Sequence, residues 1–143
     1  MASSTERPGW LLKRAQDALH AAMTAALRDF GATLPEYAVL TALAEEPGLS
    51  NADLARRTFV TPQTMNQVLR ELVQKGWVAR HPDPGHARIL QADLTPVGSA
   101  TLRACHQAVN AIEEQMLAPL TTGDIAQLTA TLQACIQALS RDP

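Results

Sequence analysis

The sequence predicts a mainly α-helical fold with one small β-hairpin, and three observations support this prediction. Apolar residues recur at steps of three and four along most of the 143 residues, which is typical of amphipathic helices. Strand-like segments occur only over residues 77–92, where they flank a turn rich in Pro and Gly. Apolar residues make up 46% of the chain and aromatic residues 3%, so we expect a folded chain with an aliphatic core.

The first two helices are predicted from their apolar stripes and their end signals. One covers residues 10–30 and is followed by Gly31, a residue that commonly ends helices. The next begins at Pro35, because proline is favoured in a first turn, and ends before the break at residues 46–48. Together they place two helices ahead of the strand-like region.

Two shorter helices follow, with a tight turn between them. Ser50 and Asp53 have the spacing of a capping box, so a helix begins there and ends near residue 58. Thr61 is a suitable N-cap for the next helix, over residues 62–75. The apolar face of that helix is predicted to consist of Met65, Val68, Leu69, Leu72 and Val73.

The remaining chain predicts a hairpin and two long helices. The strand candidates are residues 77–80 and 88–92, and the turn between them covers residues 81–86. Helices are predicted over residues 96–118 and 124–139. Their inward faces are predicted to carry Leu102, Cys105, Val109, Ile112, Met116, Ile125, Leu128, Leu132, Cys135, Ile136 and Leu139.

Residues 50–75 have the arrangement of a helix-turn-helix, and the hairpin that follows corresponds to a wing. The outward face of the second helix carries amide, hydroxyl and guanidinium groups, whereas a solubilising face would more often carry Glu and Lys pairs. Such groups can bond base edges in the major groove or phosphates. The predicted DNA contacts of this helix are Thr61, Gln63, Thr64, Asn66, Gln67 and Arg70.

The wing contributes Arg80, His86 and Arg88 to the predicted DNA contacts. A guanidinium on a wing can enter a narrow minor groove, although Arg80 also fits a solubilising charge at a strand edge. Residues 50–90 carry a net charge of +3, whereas the whole chain carries -2. This asymmetry suggests a local contact with a polyanion, although a net charge of +3 by itself favours a solvated charged face.

Several segments also occur in a specific order and spacing. They are residues 34–40 (LPEYAVL), 47–50 (PGLS), 54–57 (LARR), 61–66 (TPQTMN), Leu72, residues 75–78 (KGWV), and Arg88 six residues before residues 94–98 (LTPVG). Residues 34–102 thereby resemble the MarR family of bacterial winged-helix regulators. The family's wing usually has Asp two residues before the Arg, a position that His86 occupies here. Another group must then position Arg88, unless the wing is looser, and a protonated His86 can instead contact phosphate.

The resemblance implies a homodimer that binds an inverted-repeat operator in double-stranded DNA and represses nearby genes. Residues 1–33 and 96–143 would supply dimerisation helices, and residues 34–95 the DNA-binding lobe. The apolar stripes agree, because three long helices present more apolar surface than a small winged helix can cover. Two recognition helices would then meet half-sites about one helical turn apart.

The resemblance also implies a small aromatic acid or phenolic effector that releases the DNA. Arg14 can pair with a carboxylate, and Trp10 and Tyr37 can stack on a ring. Dimer packing, a surface charge and structural histidines are the alternative explanations for these residues. The candidate effector-binding residues are Trp10, Arg14, His20, Tyr37 and His106.

Other functions have less support in the sequence. A redox-responsive regulator would use Cys105 and Cys135, but both fall on apolar stripes and are expected to be small core residues. A winged helix that docks proteins would expose an acidic or apolar face on residues 62–75. We expect no catalysis, cofactor or metal, because no catalytic motif or metal-ligand spacing is present. Without an export signal or a transmembrane segment, the expected location is the cytoplasm.

Overall fold

Helices dominate this computed structural model, which describes residues 3–140. The elements in chain order are a 3-10 turn (Ser4–Glu6), α1 (Pro8–Arg28), α2 (Leu34–Glu45), β1 (Leu49–Ser50), α3 (Asn51–Thr58), α4 (Pro62–Gln74), β2 (Val78–Pro82), β3 (Leu90–Leu94), α5 (Pro96–Leu117) and α6 (Thr122–Leu139). The predicted mainly α fold with a small β wing is confirmed. All six α-helices lie within two residues of their predicted bounds.

The predicted N-caps of α3 and α4 are both present. The Ser50 hydroxyl accepts a bond from the backbone N–H of Asp53 at 3.2 Å, and the Asp53 carboxylate accepts one from the Ser50 hydroxyl at 2.9 Å. The Thr61 hydroxyl accepts a bond from the N–H of Thr64 at 3.1 Å. Each cap satisfies a donor that the helix leaves free and stabilises its helix by about 1 kcal/mol.

The sheet has three strands in the order β1-β3-β2, whereas the sequence predicted a two-stranded hairpin. The pairs Val78↔Leu94 and Pro82↔Leu90 set the register of β2 and β3. Both strands lie one to two residues closer to the C-terminus than the predicted segments. The missed strand β1 pairs through Leu49↔Ala92. A strand of two residues is too short to show a periodicity, so its partner could not be predicted.

The core of the DNA-binding lobe lies between α2, α3, α4 and the sheet. Four of the five residues predicted on the apolar face of α4 are buried, namely Met65, Val68, Leu69 and Leu72. The prediction for Val73 was wrong, because its side chain is 42% exposed. At about 100° per residue, Val73 lies about 80° from Met65 and about 40° beyond Leu69, and therefore outside the edge of the buried stripe.

The long terminal helices are mostly exposed in the described chain. Leu27 is the one buried residue of α1, and it packs with Ala32 and Cys105 in a second small cluster. In α5, Leu102 and Cys105 are buried as predicted, but Met116 is 44% exposed. The inward stripes predicted for these helices are therefore buried only near the DNA-binding lobe.

The chain divides into two units, one ending at Val109 and the other beginning at Asn110. No residue of α6 is buried in the described chain, so the inward face predicted there was wrong for a single chain. Cys135 and Ile136 are both exposed. The physical reason is that a unit of one helix and the end of another cannot enclose an apolar stripe. The predicted division into residues 1–33, 34–95 and 96–143 stays a prediction.

The start of α5 is fixed on the turn after α4. The N–H of Thr95 donates to the carbonyl oxygen of Trp77 at 3.0 Å, and the Thr95 hydroxyl donates to the carbonyl oxygen of Gly76. Gly98 lies so close that an added Cβ would be 1.9 Å from the Trp77 carbonyl oxygen. This contact fixes the start of α5 against the DNA-binding lobe.

The end of α4 is joined to the start of α2 by a buried ion pair. Glu36 is fully buried, and the Lys75 Nζ lies 2.8 Å from each of its carboxylate oxygens. The same Nζ donates to the carbonyl oxygen of Gly31 at 2.8 Å and lies 4.8 Å from the ring centre of Trp77. The pair therefore connects α4 to both α2 and the turn after α1.

Candidate nucleic-acid interface

The outer face of α4 is exposed because its four buried apolar residues turn the opposite side to solvent. All six side chains predicted to contact DNA from this helix and its cap are exposed: Thr61, Gln63, Thr64, Asn66, Gln67 and Arg70. Three of them line an open groove of about 380 Å³ together with Arg80 from β2. The fold thus brings residues of the helix and of the wing to one concave surface.

The polar groups of this surface are held by weak, exposed bonds. The Arg70 guanidinium donates to the Gln67 side-chain oxygen at 2.9 Å, and the Gln67 amide nitrogen donates to Glu71 at 3.0 Å. These bonds compete with water and exchange readily for bonds to a ligand. Glu71 is the one acidic group of α4, and it bonds Gln67. The Arg70 guanidinium therefore stays available to bond a guanine edge.

The wing places its three predicted contacts at different positions. Arg80 lies half-buried on β2, and within residues 3–140 its Nε has no hydrogen-bond partner although the atom is buried. His86 and Arg88 are exposed in the loop over residues 83–89. Arg88 was predicted at the start of a strand, which was wrong because β3 begins only at Leu90.

Asp83 organises the wing loop, a role that the sequence analysis missed. One of its carboxylate oxygens accepts bonds from the backbone N–H of Gly85 at 2.7 Å and of His86 at 3.2 Å. The other oxygen accepts a bond from the Gln91 amide at 2.8 Å. Asp83 lies three residues before His86, and its bonds shape the backbone of the loop that carries Arg88.

A histidine and a carboxylate also pair across the hairpin. His81 on β2 bonds Asp93 on β3, and this bond raises the pKa of His81 above its usual 6.5. The imidazole therefore carries positive charge to a higher pH than a free histidine does. Neither residue was singled out in the sequence, because the pairing depends on the strand register.

The structure brings together two of the five predicted effector residues. The Tyr37 hydroxyl lies 2.6 Å from the His106 Nδ1, with the rings edge to face, and burial raises the pKa of Tyr37. Trp10, Arg14 and His20 are exposed on α1. Tyr37 packs against the cluster that contains Leu27, and Trp10 lies about 25 Å from Leu27 along α1. The effector pocket as a whole stays a prediction.

The two cysteines differ in environment. Cys105 is fully buried, and burial raises the pKa of its thiol, which disfavours the reactive thiolate. Cys135 is exposed, which contradicts its predicted place in the core. Over residues 3–140, no three His, Cys, Asp or Glu side chains are grouped closely enough to hold a metal ion. No helix in that range is both long and apolar enough to cross a membrane.

Comparison with known proteins identifies the family. The sequence model of the MarR family matches residues 30–89. The HTH-type transcriptional repressor Rv2887 of Mycobacterium tuberculosis is 44% identical over 113 residues, which cover 79% of this chain and 81% of the relative. The crystal structure of Rv2887 in complex with DNA matches with a TM-score of 0.77 and 38% identity, over 90% of this chain and 97% of that chain. Its structure with p-aminosalicylic acid matches with a TM-score of 0.74 and 39% identity, over 90% and 98%. The chain therefore belongs to the MarR family of helix-turn-helix transcriptional regulators.

Proposed function

We propose that this protein is a cytoplasmic, homodimeric repressor that binds an inverted repeat in duplex DNA and releases it on binding a small aromatic acid. The observation that carries the proposal is the groove shared by Gln63, Asn66, Arg70 and Arg80. It combines amide and guanidinium groups on the exposed face of α4 with an arginine of the wing. The crystal structure of Rv2887 with DNA supports the same assignment for this chain.

Each group of the interface has a chemical role in this proposal. Gln63 and Asn66 pair with adenine edges, and Arg70 pairs with guanine, in the major groove. Arg80 and Arg88 contact phosphates or a narrow minor groove beside it. The proposed role is recognition rather than catalysis.

The dimer is supported by large exposed apolar side chains on α1 and α6. Trp10 and Leu12 are each 50% exposed, Ile136 is 63% exposed and Leu139 is 90% exposed. Large apolar side chains that lie together on a surface commonly mark interaction sites. A second copy covers it most simply, since a twofold interface pairs each surface with its own equivalent. Two α4 helices then face two half-sites.

The effector proposal rests on the contact between Tyr37 and His106. This contact lies beside a small cluster in which Leu27 of α1 packs with Cys105 of α5, so a ligand there can touch α1, α2 and α5. Rv2887 has been crystallised with p-aminosalicylic acid, a small aromatic acid. The ligand acts by binding one arrangement of the dimer more tightly than the other.

DNA binding is tested by selecting duplexes from a random pool and measuring their affinity by fluorescence anisotropy at two salt concentrations. We expect an enriched inverted repeat and an affinity that falls steeply with salt, because phosphate contacts release counterions. Arg70→Ala should bind at least tenfold more weakly. Arg103→Ala, which removes an exposed arginine of α5, is the matched control and should bind like the parent. A folded dimer that enriches no sequence would refute the proposal and favour a protein-docking module.

The effector is tested with p-aminosalicylic acid added to the preformed complex. We expect release of the DNA at millimolar or lower concentrations, and weaker release by the corresponding amide, because charge-assisted bonds to a carboxylate are stronger than bonds to a neutral amide. Tyr37→Phe and His106→Ala should weaken the release, because they remove the polar contact beside which the ligand is placed. Arg14→Gln should not, since about 20 Å of α1 separates Arg14 from Leu27, and loss of release in Arg14→Gln alone would refute this placement.

A further inference from the structure

Phe59, in the turn between α3 and α4, has an unusual conformation and an unusual exposure. Its φ and ψ are 58° and 35°, in the left-handed region, and its side chain is 96% exposed. Within residues 3–140, it is the only residue other than glycine with a positive φ. The three other positions with positive φ are Gly31, Gly48 and Gly76. The chain therefore uses glycine wherever this backbone is needed, except in this turn.

The left-handed backbone at residue 59 is required by the way α3 ends. The backbone N–H of Phe59 and the N–H of Val60 both donate to the carbonyl oxygen of Ala55, the latter at 3.2 Å. This is a Schellman-type ending, which reverses the chain and sends Val60 onto the core. Glycine is the usual residue at such a position, because a Cβ is strained there.

Neither the turn nor the core explains a phenylalanine at this position. Glycine would remove the strain, and a polar residue would remove the exposed ring. A bulky residue held in this region points to a function for its side chain. The ring lies two residues before the N-cap Thr61, at the end of α4 that carries Gln63 and Thr64. In helix-turn-helix proteins this end of the recognition helix contacts base edges.

We infer that Phe59 contacts a thymine methyl group in the operator half-site and helps to determine its sequence. The thymine methyl is the apolar group that base pairs present in the major groove, and phenylalanine is one of the side chains that contacts it. The ring adds an apolar contact to a surface whose other groups are amides, hydroxyls and guanidinia. This inference rests on the proposed function, because it requires that α4 binds DNA.

The test uses Phe59→Gly in the full-length chain, which removes the ring and suits the backbone. We expect its melting temperature to rise by about 3 °C, since the strain is relieved. Its affinity for the selected operator should nevertheless fall about tenfold. Phe59→Leu keeps an apolar side chain, so its loss of affinity should be less than half of the loss that Phe59→Gly shows. Val73→Ala removes another exposed apolar side chain, about 16 Å along α4, and should bind like the parent.

The contacted group is identified by replacing each thymine of the half-site with uracil, which lacks the methyl. One replacement should weaken binding of the parent about threefold and leave Phe59→Gly unaffected. Equal binding of the parent and Phe59→Gly would overturn the inference while the proposed function stands. A loss in Phe59→Gly without any uracil effect would assign the ring to the sugar backbone and refute its role in sequence selection. A parent chain that binds no duplex would refute the proposed function and this inference with it.

Discussion

Replacing Lys75 by Met should destabilise the protein far more than replacing an exposed lysine. The substitution leaves the carboxylate of Glu36 buried, with a single bond from the backbone N–H of Thr33 at 2.9 Å. Two contacts of 2.8 Å from the Lys75 Nζ are lost, together with its bond to Gly31. Removing one partner of a buried pair costs about 3–5 kcal/mol. The Lys75 side chain is 35% exposed, so we expect about 2–3 kcal/mol.

The assay is urea unfolding of the parent and the variant, with Lys13→Met as the matched control. Lys13 pairs with Asp17 at 2.9 Å on α1, and both side chains are at least 60% exposed, so its loss should cost about 0.5 kcal/mol or less. The double variant Glu36→Gln, Lys75→Met should recover part of the loss, because the buried charge is then absent. Equal effects of Lys75→Met and Lys13→Met, or fully additive single effects, would refute the reasoning.

Three further predictions follow from local geometry. Gly98→Ala should lower the free energy of unfolding by about 2 kcal/mol or more in urea melts, because the added Cβ would lie 1.9 Å from the Trp77 carbonyl oxygen. This loss is expected although Ala favours helices more than Gly does. An unchanged urea melt would refute the close contact. In an NMR titration, the pKa of His81 should lie above 6.5 in the parent and fall in Asp93→Asn. Because the folded-state pKa is raised, the pair stabilises the wing at low pH and loses this effect as the pH rises through the raised pKa. Equal pKa values of His81 in the parent and in Asp93→Asn would contradict the pairing. In a Cys135→Ser variant, which removes the exposed thiol, Cys105 should resist a thiol reagent at pH 7 until urea unfolds the chain. Rapid labelling of this native variant would refute the burial of Cys105.

The elements that could be predicted from the sequence are those whose cause is local. The capping box of Ser50 and Asp53 and the N-cap Thr61 lie within four residues of the groups they satisfy, so their pattern is visible in the sequence. The exposure of Gln63 and Arg70 follows from helical geometry once the buried stripe of α4 is known. Comparison with relatives then confirmed the family that the spacing of these segments had indicated.

The features that escaped prediction depend on contacts between distant residues. Glu36 and Lys75 are 39 residues apart, and nothing in the sequence indicates that the second closes over the first. The bond between His81 and Asp93 depends on a strand register that the sequence analysis placed too early. Cys135 lies on an apolar stripe, as predicted, but the burial of a stripe depends on what packs against it.

The same long-range contacts limit how an effector can act on DNA binding. The start of α4 is tied to α3 by a bond of 3.4 Å from the Asn51 amide to the Pro62 carbonyl oxygen, and its end is tied to α2 by Lys75 and Glu36. A ligand bound at the site proposed beside Tyr37 would therefore move α4 together with the rest of the lobe. We expect p-aminosalicylic acid to change the preferred spacing of the half-sites and to leave the bases within each half-site unchanged. Duplex selection with and without the ligand measures both. A changed half-site sequence would show that α4 moves within the lobe, contrary to its attachment at both ends.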